Sequence, residues 1–354
     1  MLDFKVKSSI HDYEIEFVND VRDILKKNVL EGDVIIIDNK VNELYPDLLE
    51  TIDLEVSVIS IDANEGQKSY HGLIPIIQEL ILKGFRKNNR LIGIGGGIIQ
   101  DITAFTGSIM YRGVTWLFFP TTLLAQGDSC IGSKTSINFG EFKNQLGGFF
   151  PPNKIFINLD FLNTLSVSDL QSGLGEMAHY FVVAGKDEFY EYKLDYEKVF
   201  ADKRIFAKII ANSLKIKKSY IEIDEFDQSE RQVFNYGHSF GHAIESLTNY
   251  SVPHGIAVSF GMDMANYVSV KRGYLTETIR MEIRSVLEKI WTGFDISNID
   301  VAKFVVALSK DKKNVGTELR LILCKGYGEV FKTSQKLDEE FIGWLEEYFR
   351  NELA

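Results

Sequence analysis

Cysteine is scarce in this chain. Its 354 residues include only two, Cys130 and Cys324. Two cysteines are too few for the disulfide framework of a small secreted domain, and they suit a reducing compartment. We expect both to be packed small side chains rather than nucleophiles, because free cysteine is among the most buried residue types.

Long apolar runs and an excess of positive charge are also missing. The chain contains no run of about 18 uncharged apolar residues, the length that indicates a membrane-spanning helix, and its N-terminus lacks the apolar segment of a secretory signal. Acidic residues outnumber basic ones by 50 to 39, and the formal net charge is −11. A basic face is the usual sign of nucleic-acid binding. We therefore expect a cytoplasmic protein with neither membrane nor nucleic-acid partners.

Size and composition indicate a globular protein with two domains. A chain of 354 residues exceeds what one ordinary core holds, and its 45% hydrophobic and 25% charged residues are typical of globular proteins. In the N-terminal part, short apolar runs alternate with helical patterns, which predicts a parallel sheet. The predicted strands are Val34–Asp38, Val56–Ile61, Arg90–Ile94 and Thr115–Phe119.

Long amphipathic helices dominate the C-terminal half. Their apolar spacing predicts helices at Leu170–Val183, Arg204–Ile223, His254–Lys271 and Glu277–Lys289, with a short strand at Leu319–Leu323. We predict that residues 1–155 form a Rossmann-like α/β domain with an open, mostly parallel sheet. Residues 156–354 are predicted to form a mostly α-helical domain.

Three consecutive glycines follow the third predicted strand and open a helix. Gly95, Gly96 and Gly97 would let a pyrophosphate approach the backbone, where the N–H groups at a helix N-terminus can bind it. The run differs from the GxGxxG fingerprint, so a tight strand-to-helix turn without a ligand explains it equally well.

A glycine-punctuated stretch downstream carries polar side chains suited to phosphate or hydroxyl groups. It contains Asp128, Lys134, Lys143 and Asn144. Lysine and asparagine both donate hydrogen bonds to phosphate oxygens. The alternative is an exposed loop with ordinary surface lysines.

Three of the six histidines lie close together in the sequence. His238, His242 and His254 have glycines nearby, which indicate close backbone approach. Imidazole is the commonest metal ligand, and Glu176 could add an oxygen ligand to form the three-residue set typical of catalytic zinc. Spacing does not decide which two histidines bind. His238 and His242 are the simplest pair, because residues four apart share one face of a helix.

Together these segments resemble the dehydroquinate synthase family of sugar phosphate cyclases, over about residues 34–330. The motifs that carry the resemblance are Gly95–Asp101, Tyr111–Val114, Pro120–Asp128, Lys134, Lys143-Asn144, Glu176, Asn235–Glu245, His254-Gly255 and Asp311–Lys313. The resemblance implies that residues 1–155 bind NAD and that residues 156–354 bind metal and substrate. It also implies an NAD- and metal-dependent elimination of phosphate from a heptulosonate phosphate, followed by intramolecular aldol cyclisation.

The resemblance further implies a role for individual residues. The metal, Zn²⁺ or Co²⁺, would be bound by Glu176, His238 and His254, while His242 would contact the substrate phosphate. A homodimer is implied, in which Arg112 reaches that phosphate from the neighbouring subunit. The other implied substrate residues are Lys134, Asn144, Asn235 and Lys312 near phosphate, Asp128 and Lys217 near hydroxyls, and Arg231 near a carboxylate, and Lys143 belongs to the same set of site candidates. The implied NAD contacts are Asp38, Glu65, Lys68, Gly95, Gly96, Gly97, Asp101, Thr121 and Thr122.

His179 departs from the family pattern, in which lysine usually stands three residues after the glutamate ligand. Lysine is a permanent charge at neutral pH, whereas histidine is only partly charged. We count His179 among the substrate-site candidates. The change leaves open a sister cyclase acting on sedoheptulose 7-phosphate, glucose 6-phosphate or an amino analogue, although Arg231 favours a carboxylate-bearing substrate. A metal-dependent polyol dehydrogenase is a further alternative, which would accumulate NADH without releasing phosphate.

Overall fold

The chain forms two compact units. The computed structural model describes residues 2–50, 52, 56–140, 142–310 and 318–353. The first unit comprises Met1–Leu165 and Lys217–Asp227, and the second comprises Ser166–Ile216 and Gln228–Ala354.

A seven-stranded sheet organises the first unit. The strands of this unit are β1 (Phe4–Val6), β2 (Tyr13–Phe17), β3 (Val34–Asp38), β4 (Ser57–Ile61), β5 (Leu91–Gly95), β6 (Trp116–Pro120), β7 (Lys134–Phe139), β8 (Phe142–Phe149) and β9 (Lys154–Ile157). The order in the large sheet is β1-β2-β9-β6-β5-β3-β4, and β7 and β8 form a separate hairpin. Among the described residues of the large sheet, β1 and β2 pair in antiparallel fashion and the other neighbouring strands are parallel.

The four strands predicted from the sequence are present as β3, β4, β5 and β6, and they are neighbours in the sheet. Nearly every residue of β3, β5 and β6 is buried. Burial of both faces is typical of parallel sheets, and it produces the continuous apolar runs that made these strands recognisable. The helices of this unit are α1 (Val21–Asn28), α2 (Asn39–Leu44), α3 (Tyr70–Leu82) and α4 (Gly97–Ile109).

Helices dominate the remainder of the chain. They are α5 (Val167–Ala184), α6 (Lys186–Tyr196), α7 (Lys203–Ile221), α8 (His238–Leu247), α9 (His254–Lys271), α10 (Glu277–Ile290), α11 (Val301–Ser309) and α12 (Glu339–Asn351), with strands β10 (Glu318–Cys324) and β11 (Val330–Lys336). The four predicted C-terminal helices are present as α5, α7, α9 and α10, and the predicted strand as β10. Among the helices in the described ranges, none combines the length and apolar character needed to cross a membrane.

Helix α9 lies at the centre of the second unit. It packs against α5, α8, α10 and α12, and most of its residues are buried. Glycines allow the closest of these contacts. A Cβ atom at Gly261 would lie 2.0 Å from the carbonyl oxygen of Gly237, which precedes α8. The backbones of α8 and α9 are therefore in direct contact.

The division between the units lies between Leu165 and Ser166, whereas the sequence placed it between residues 155 and 156. The segment after β9 stays with the first unit because Phe161 packs into that unit's core. Ser166 then starts α5 with a capping box. Residues 217–227 also pack with the first unit, where the Glu225 carboxylate accepts a hydrogen bond from the Ser8 hydroxyl at 2.7 Å.

Candidate functional site

Three potential metal ligands converge in the second unit. Glu176 lies on α5, His238 is the first residue of α8, and His254 is the first residue of α9. The Nε2 atom of His238 lies 3.3 Å from Glu176 Oε1, and that of His254 lies 3.3 Å from Glu176 Oε2. One ligand atom from each residue lies within 4.8 Å of the others. Three helices thus bring a carboxylate and two imidazoles together.

Glycines explain how these helices come close enough. A Cβ at Gly175 would lie 2.3 Å from the carbonyl oxygen of Gly255, and a Cβ at Gly255 would lie 1.8 Å from that of Ser172. Gly237, just before α8, has a φ of 83°, in the left-handed region that favours glycine. The sequence predicted close backbone approach around these positions. The approaching group is the backbone of a neighbouring helix.

Hydrogen bonds turn both imidazoles so that Nε2 faces the carboxylate. The Nδ1 atom of His254 lies 3.0 Å from Glu245 Oε2, and that of His238 lies 3.3 Å from the carbonyl oxygen of Tyr236. An N–H at Nδ1 leaves the lone pair on Nε2, the atom that would bind a metal. The sequence patterns assigned no role to Glu245. Its position one helical turn after His242 was the available signal.

The spacing of these atoms fits a metal ion. In a tetrahedral site with bonds of about 2.0–2.2 Å, ligand atoms are about 3.3–3.6 Å apart, and the two N···O distances here are 3.3 Å. Glu176 Oε2 is buried and receives no hydrogen bond of normal geometry within the described residues. Buried polar atoms normally have a partner. A cation would supply one.

Charge interactions shift the pKa values of Glu176 and His254 in opposite directions. Burial alone would raise the pKa of Glu176, but the imidazoles of His238 and His254 outweigh burial and hold this pKa well below its ordinary value. Burial alone would lower the pKa of His254, but the carboxylates of Glu176 and Glu245 raise it well above its ordinary value. The centre favours an ionised carboxylate facing positive charge, and a divalent cation would provide that charge in place of the imidazole protons.

His242 lies outside the Glu176 group. It is exposed on α8 and belongs to a second group with Glu245 and His254, whose ligand atoms also lie within 4.8 Å of one another. The His242 and His254 rings are nearly parallel, with centroids 5.6 Å apart. Within the described residues, the histidine pair suggested by helical spacing does not share Glu176.

The predicted cofactor residues of the first unit gather at one edge of the large sheet. Asp38 ends β3, Gly95 ends β5, and Thr121 follows β6. These strands are parallel neighbours, so their carboxyl ends share an edge, and ligands of open α/β sheets bind at that edge. Helix α4 starts there at Gly97, and no side chain of the described residues caps its N-terminus. Its first N–H groups are therefore suited to an anion.

Several residues at this edge also shape their own turns. The Asp38 carboxylate accepts a hydrogen bond from the backbone N–H of Lys40 at 3.0 Å and caps α2. The Thr122 hydroxyl accepts one from the N–H of Ala125 at 3.2 Å. A Cβ at Gly96 would lie 3.0 Å from Thr122 Cγ2, so a larger residue would crowd the turn.

Lys68, Asp101 and Asn144 form one polar network. Lys68 Nζ donates to Asp101 Oδ2 at 3.1 Å and to Asn144 Oδ1 at 2.9 Å. The backbone N–H of Ser136 donates to Asp101 Oδ1 at 2.9 Å. Burial raises the pKa of Asp101, and the Lys68 ammonium opposes this rise. Residues assigned to NAD and to phosphate by resemblance are thus in direct contact.

Glu65 joins the same region to the β7–β8 hairpin. Its carboxylate accepts a hydrogen bond from Asn138 Nδ2 at 2.7 Å and lies 3.5 Å from Lys143 Nζ. Burial alone would raise the pKa of Glu65, but the bond from Asn138 and the charges of Lys68 and Lys143 lower it. Asn138 carried no signal in the sequence, because its role depends on contacts with residues far along the chain.

Asp128 and Lys217 form an ion pair with little exposure. Lys217 Nζ donates to Asp128 Oδ1 at 2.8 Å and to the Asp128 carbonyl oxygen at 2.7 Å. The two side chains are 15% and 8% exposed. Asp128 lies in a π-helical segment, Ala125–Ser129, an irregularity frequent at functional sites. The pair combines an acceptor and a donor suited to hydroxyl groups.

Two further candidates of the first unit are exposed cations. Lys134 starts β7 and pairs with Asp227. Arg112 lies in a turn in which it and Tyr111 both have positive φ, 66° and 50°, before Gly113 at 113°. Positive φ is uncommon outside glycine and is often found at functional sites.

Arg231 and Asn235 lie in the second unit, in a 3₁₀ segment directly before α8 (Glu230–Asn235). Arg231 is buried, and Asn235 Nδ2 donates to the carbonyl oxygen of Gln232 at 3.1 Å. The remaining candidate, Lys312, lies outside the described residues.

The family of the chain follows from matches that cover most of its length. Residues 58–172 match the family model described as 3-dehydroquinate synthase N-terminal, and residues 173–314 match that described as 3-dehydroquinate synthase C-terminal. The chain belongs to the 3-dehydroquinate synthase family. This result confirms the resemblance stated from the motifs.

Sequence similarity to individual proteins supports the same family. The chain is 33% identical over 314 residues to the 3-dehydroquinate synthase of Alkaliphilus metalliredigens (strain QYMF), covering 86% of this chain and 88% of that protein. It is 32% identical over 351 residues to that of Campylobacter concisus (strain 13826), covering 98% and 99%. The similarity therefore extends over nearly the whole of both chains.

Two solved structures share the fold. One is 2-deoxy-scyllo-inosose synthase complexed with carbaglucose-6-phosphate, NAD+ and Co²⁺, with a TM-score of 0.86, 21% identity and coverage of 98% of this chain and 99% of that chain. The other is 2-epi-5-epi-valiolone synthase from Streptomyces hygroscopicus subsp. jinggangensis 5008 with NAD+ and Zn²⁺ bound, with a TM-score of 0.84, 22% identity and 98% coverage of both chains. The dehydroquinate synthase-like fold predicted from the sequence is confirmed.

His179, the departure from the family pattern, is almost completely buried. It is 1% exposed, and its ring contacts those of Tyr180, Phe234 and His238. Its Nδ1 atom lies 4.0 Å from Glu176 Oε1. His179 therefore lies beside two of the candidate metal ligands, Glu176 and His238.

Proposed function

We propose that this protein is a 3-dehydroquinate synthase, a phosphate-eliminating carbon–oxygen lyase of the shikimate pathway and aromatic amino acid biosynthesis. It converts a heptulosonate phosphate into the carbocycle 3-dehydroquinate by phosphate elimination and aldol cyclisation. The grouping of Glu176, His238 and His254, in a chain of the 3-dehydroquinate synthase family, carries this proposal.

The second unit binds the divalent metal, Zn²⁺ or Co²⁺, through Glu176, His238 and His254. A metal held by these residues would supply Lewis acidity toward an oxygen of the substrate. Glu245 and the Tyr236 carbonyl hold the two imidazoles with Nε2 available for coordination. Two solved structures with the same fold contain Co²⁺ and Zn²⁺, respectively, which supports the choice of these metals.

The first unit binds NAD at the carboxyl edge of its large sheet. NAD bound there would supply reversible hydride transfer, which leaves the overall reaction redox-neutral. The N-terminal N–H groups of helix α4, uncapped within the described residues, would be available to bind its pyrophosphate. The contacts proposed for NAD are Asp38, Glu65, Lys68, Gly95, Gly96, Gly97, Asp101, Thr121 and Thr122.

The remaining polar residues bind and orient the substrate. Arg231 presents a planar guanidinium to the carboxylate, and the Asp128–Lys217 pair binds hydroxyl groups. The phosphate receives hydrogen bonds from Lys134, Lys143, Asn144, Asn235, His242 and Lys312. Orientation accounts for most of their contribution. The departing phosphate serves as the base for the neighbouring C–H.

We further propose that the enzyme is a homodimer in the cytoplasm. Arg112 reaches the substrate phosphate bound by the neighbouring subunit. In support, Arg112 is exposed, and its turn is anchored by the Tyr111 hydroxyl, which donates to the carbonyl oxygen of Phe85 at 2.8 Å. The two cysteines are unpaired, as suits a reducing compartment.

Neither alternative function is retained. A sister cyclase was suggested by His179, but this residue is buried against Glu176 and the curated relatives are 3-dehydroquinate synthases. The same relatives disfavour a polyol dehydrogenase.

The test is turnover of the purified protein with heptulosonate phosphate, NAD+ and Zn²⁺ or Co²⁺. We expect equal amounts of released phosphate and 3-dehydroquinate, with no net NADH. Sedoheptulose 7-phosphate and glucose 6-phosphate serve as competing substrates, and Glu176→Gln as the inactive control. Activity on a competing substrate, with none on the heptulosonate, would contradict the proposal.

A further inference from the structure

Asn144 lies in an irregular part of the β7–β8 hairpin. The pairing register shifts between Ile137 and Phe139, which leaves extra residues of β8 opposite Asn138. Asn144 has a φ of 55°, in the left-handed region that asparagine tolerates better than most residues. Its backbone N–H donates to Asn138 Oδ1 at 2.9 Å. Irregularities of this kind change the direction of a side chain, and they are common next to active sites.

The hydrogen bonds of Asn144 fix the orientation of its carboxamide. Its Oδ1 atom accepts from Lys68 Nζ at 2.9 Å and from Ser136 Oγ at 3.0 Å. An ammonium group can only donate, so the amide atom that faces Lys68 must be oxygen. The Nδ2 group therefore points away from Lys68. Within the described residues, no hydrogen bond of Asn144 uses Nδ2.

Lys68 is itself fixed by contacts of both its ammonium group and its backbone carbonyl. Its side chain is 10% exposed and pairs with Asp101 at 3.1 Å, while its carbonyl oxygen accepts from the N–H of Asn138 at 2.8 Å. The ammonium consequently has little freedom to leave Asn144. Ser136 is fixed in the same way, because its backbone N–H donates to Asp101.

We infer that Lys68 is a positioning residue, which holds Asn144 with its Nδ2 donor presented to the substrate phosphate. This inference rests on the proposed function, in which Asn144 contacts that phosphate. A donor oriented before binding loses little freedom on binding, which strengthens the interaction. Lys68 then acts on phosphate through Asn144 rather than only on NAD, the role implied by family resemblance.

Inorganic phosphate is the probe, because it carries the recognised group without turnover. Its dissociation constant is measured by phosphorus-31 NMR on the metal-loaded protein saturated with NAD, and that of NAD by calorimetry. We expect Lys68→Met and Asn144→Ala each to raise the phosphate Kd about fivefold to tenfold. The double variant should resemble Asn144→Ala alone. If the two effects multiply instead, or if Lys68→Met changes only the NAD Kd, the inference is wrong.

Lys68→Met also leaves the Asp101 carboxylate without its cationic partner, which can prevent folding. Ser136→Ala is the second variant, because it removes the other donor to Asn144 Oδ1 and keeps the ion pair. It should raise the phosphate Kd about twofold to fivefold, and this effect should disappear in an Asn144→Ala background. An unchanged phosphate Kd in folded Ser136→Ala protein would count against the inference.

The matched control is Lys83→Met, an identical substitution at an exposed lysine that pairs with Glu79 at 3.5 Å. It should change neither constant. Phosphate binding by the wild-type protein distinguishes a failure of the proposed phosphate site from a failure of the positioning role of Lys68. If the wild-type protein does not bind phosphate, the proposed phosphate site fails. If it binds phosphate but the variant effects multiply, only the positioning role of Lys68 fails.

Discussion

At the residue scale, Glu176 shows how a buried carboxylate is made tolerable. Its side chain is 5% exposed, and an isolated ionised group at such a position would be strongly unfavourable. Positive charge facing the carboxylate, from the imidazoles of His238 and His254 or from a bound cation, offsets that penalty. The same contacts place three ligand atoms at distances that suit a divalent metal. The interactions that stabilise the fold here are therefore also those that prepare the site.

His242 and His254 should respond differently to replacement. His254→Ala removes a proposed ligand, so metal content, measured by mass spectrometry after gel filtration, should fall from about one ion per chain to near zero. His242→Ala should leave metal content close to that of the wild type and lower turnover through loss of the proposed phosphate contact. Metal lost from His242→Ala protein, and kept by His254→Ala protein, would reverse the assignment.

The two cysteines should be inert in the folded protein. Both are fully buried, and burial raises the pKa of each thiol to about 12. At pH 8 roughly one thiol in ten thousand is then ionised, and the thiolate is the reactive form. Iodoacetamide should label neither Cys130 nor Cys324 in native protein and both after unfolding, as read by mass spectrometry. Rapid native labelling would contradict this description.

At the element scale, the N-terminal ends of two helices place two of the three proposed metal ligands. Helices α8 and α9 each begin with a histidine, His238 and His254. Helix α9 packs on both α5 and α8, so the side chains at these ends meet over Glu176. Glycine makes this approach possible, because it has no Cβ atom to separate the backbones.

Gly255→Ala should therefore disrupt both packing and metal binding. The new Cβ would lie 1.8 Å from the carbonyl oxygen of Ser172, so α5 and α9 must separate. We expect a loss of about 3 kcal/mol or more in unfolding free energy, by analogy with severe overpacking, and a weaker metal affinity in chelator competition.

The control for this prediction is Gly343→Ala in α12. A Cβ there would have no neighbour within 4 Å in the described part of the chain. Alanine favours a helix interior by about 1 kcal/mol over glycine, so this variant should be slightly more stable than the wild type. Equal destabilisation by the two substitutions would show that close backbone contact at Gly255 is not the cause.

At the scale of the whole molecule, a buried charge network joins distant parts of the chain. Asp263 on α9 is fully buried and accepts hydrogen bonds from Arg280 at 3.1 Å, from Arg284 at 2.8 Å and from the Tyr348 hydroxyl at 2.8 Å. Glu352 near the C-terminus also pairs with both arginines. Helix α12 is thereby connected to α9 and α10.

Asp263→Ala should strongly destabilise the protein, because it leaves two guanidinium groups with too little negative charge. A loss of about 3–5 kcal/mol is expected for breaking a buried pair, measured by urea unfolding followed by circular dichroism. Glu277→Gln is the control, since Glu277 also pairs with Arg280 but its side chain is 54% exposed. Its expected loss is about 0–1 kcal/mol. Similar losses for both variants would disprove the role given to burial.

Metal removal should lower the thermal stability of the protein. An ion that binds only the folded state, at about a thousand times its Kd, stabilises that state by about 4 kcal/mol. Chelated protein should thus unfold several degrees below the zinc-loaded protein in scanning calorimetry. Glu176→Gln protein should show little difference between the two conditions. A zinc-induced rise of the same size in this variant would place the ion elsewhere.

The sequence by itself determined much of the architecture. Strands β3, β4, β5 and β6 and helices α5, α7, α9 and α10 could be predicted because hydrophobic periodicity is a local property. Strand β1, with three residues, and strand β9, with four, give too short a pattern to recognise. The motifs also sufficed to identify the family, and by resemblance they named Glu176, His238 and His254 as ligands.

Only the tertiary structure decided which groups are neighbours. Spacing alone favoured His238 with His242, because helical periodicity extends only along one helix, whereas His254 is brought to Glu176 by contacts between helices. The contact of His179 with His238, the hydrogen bond from His254 to Glu245 and the link from Lys68 to Asn144 also depend on packing. Each of these contacts joins residues of different segments, and their distances are set by glycine approaches and buried charge pairs that no local pattern records.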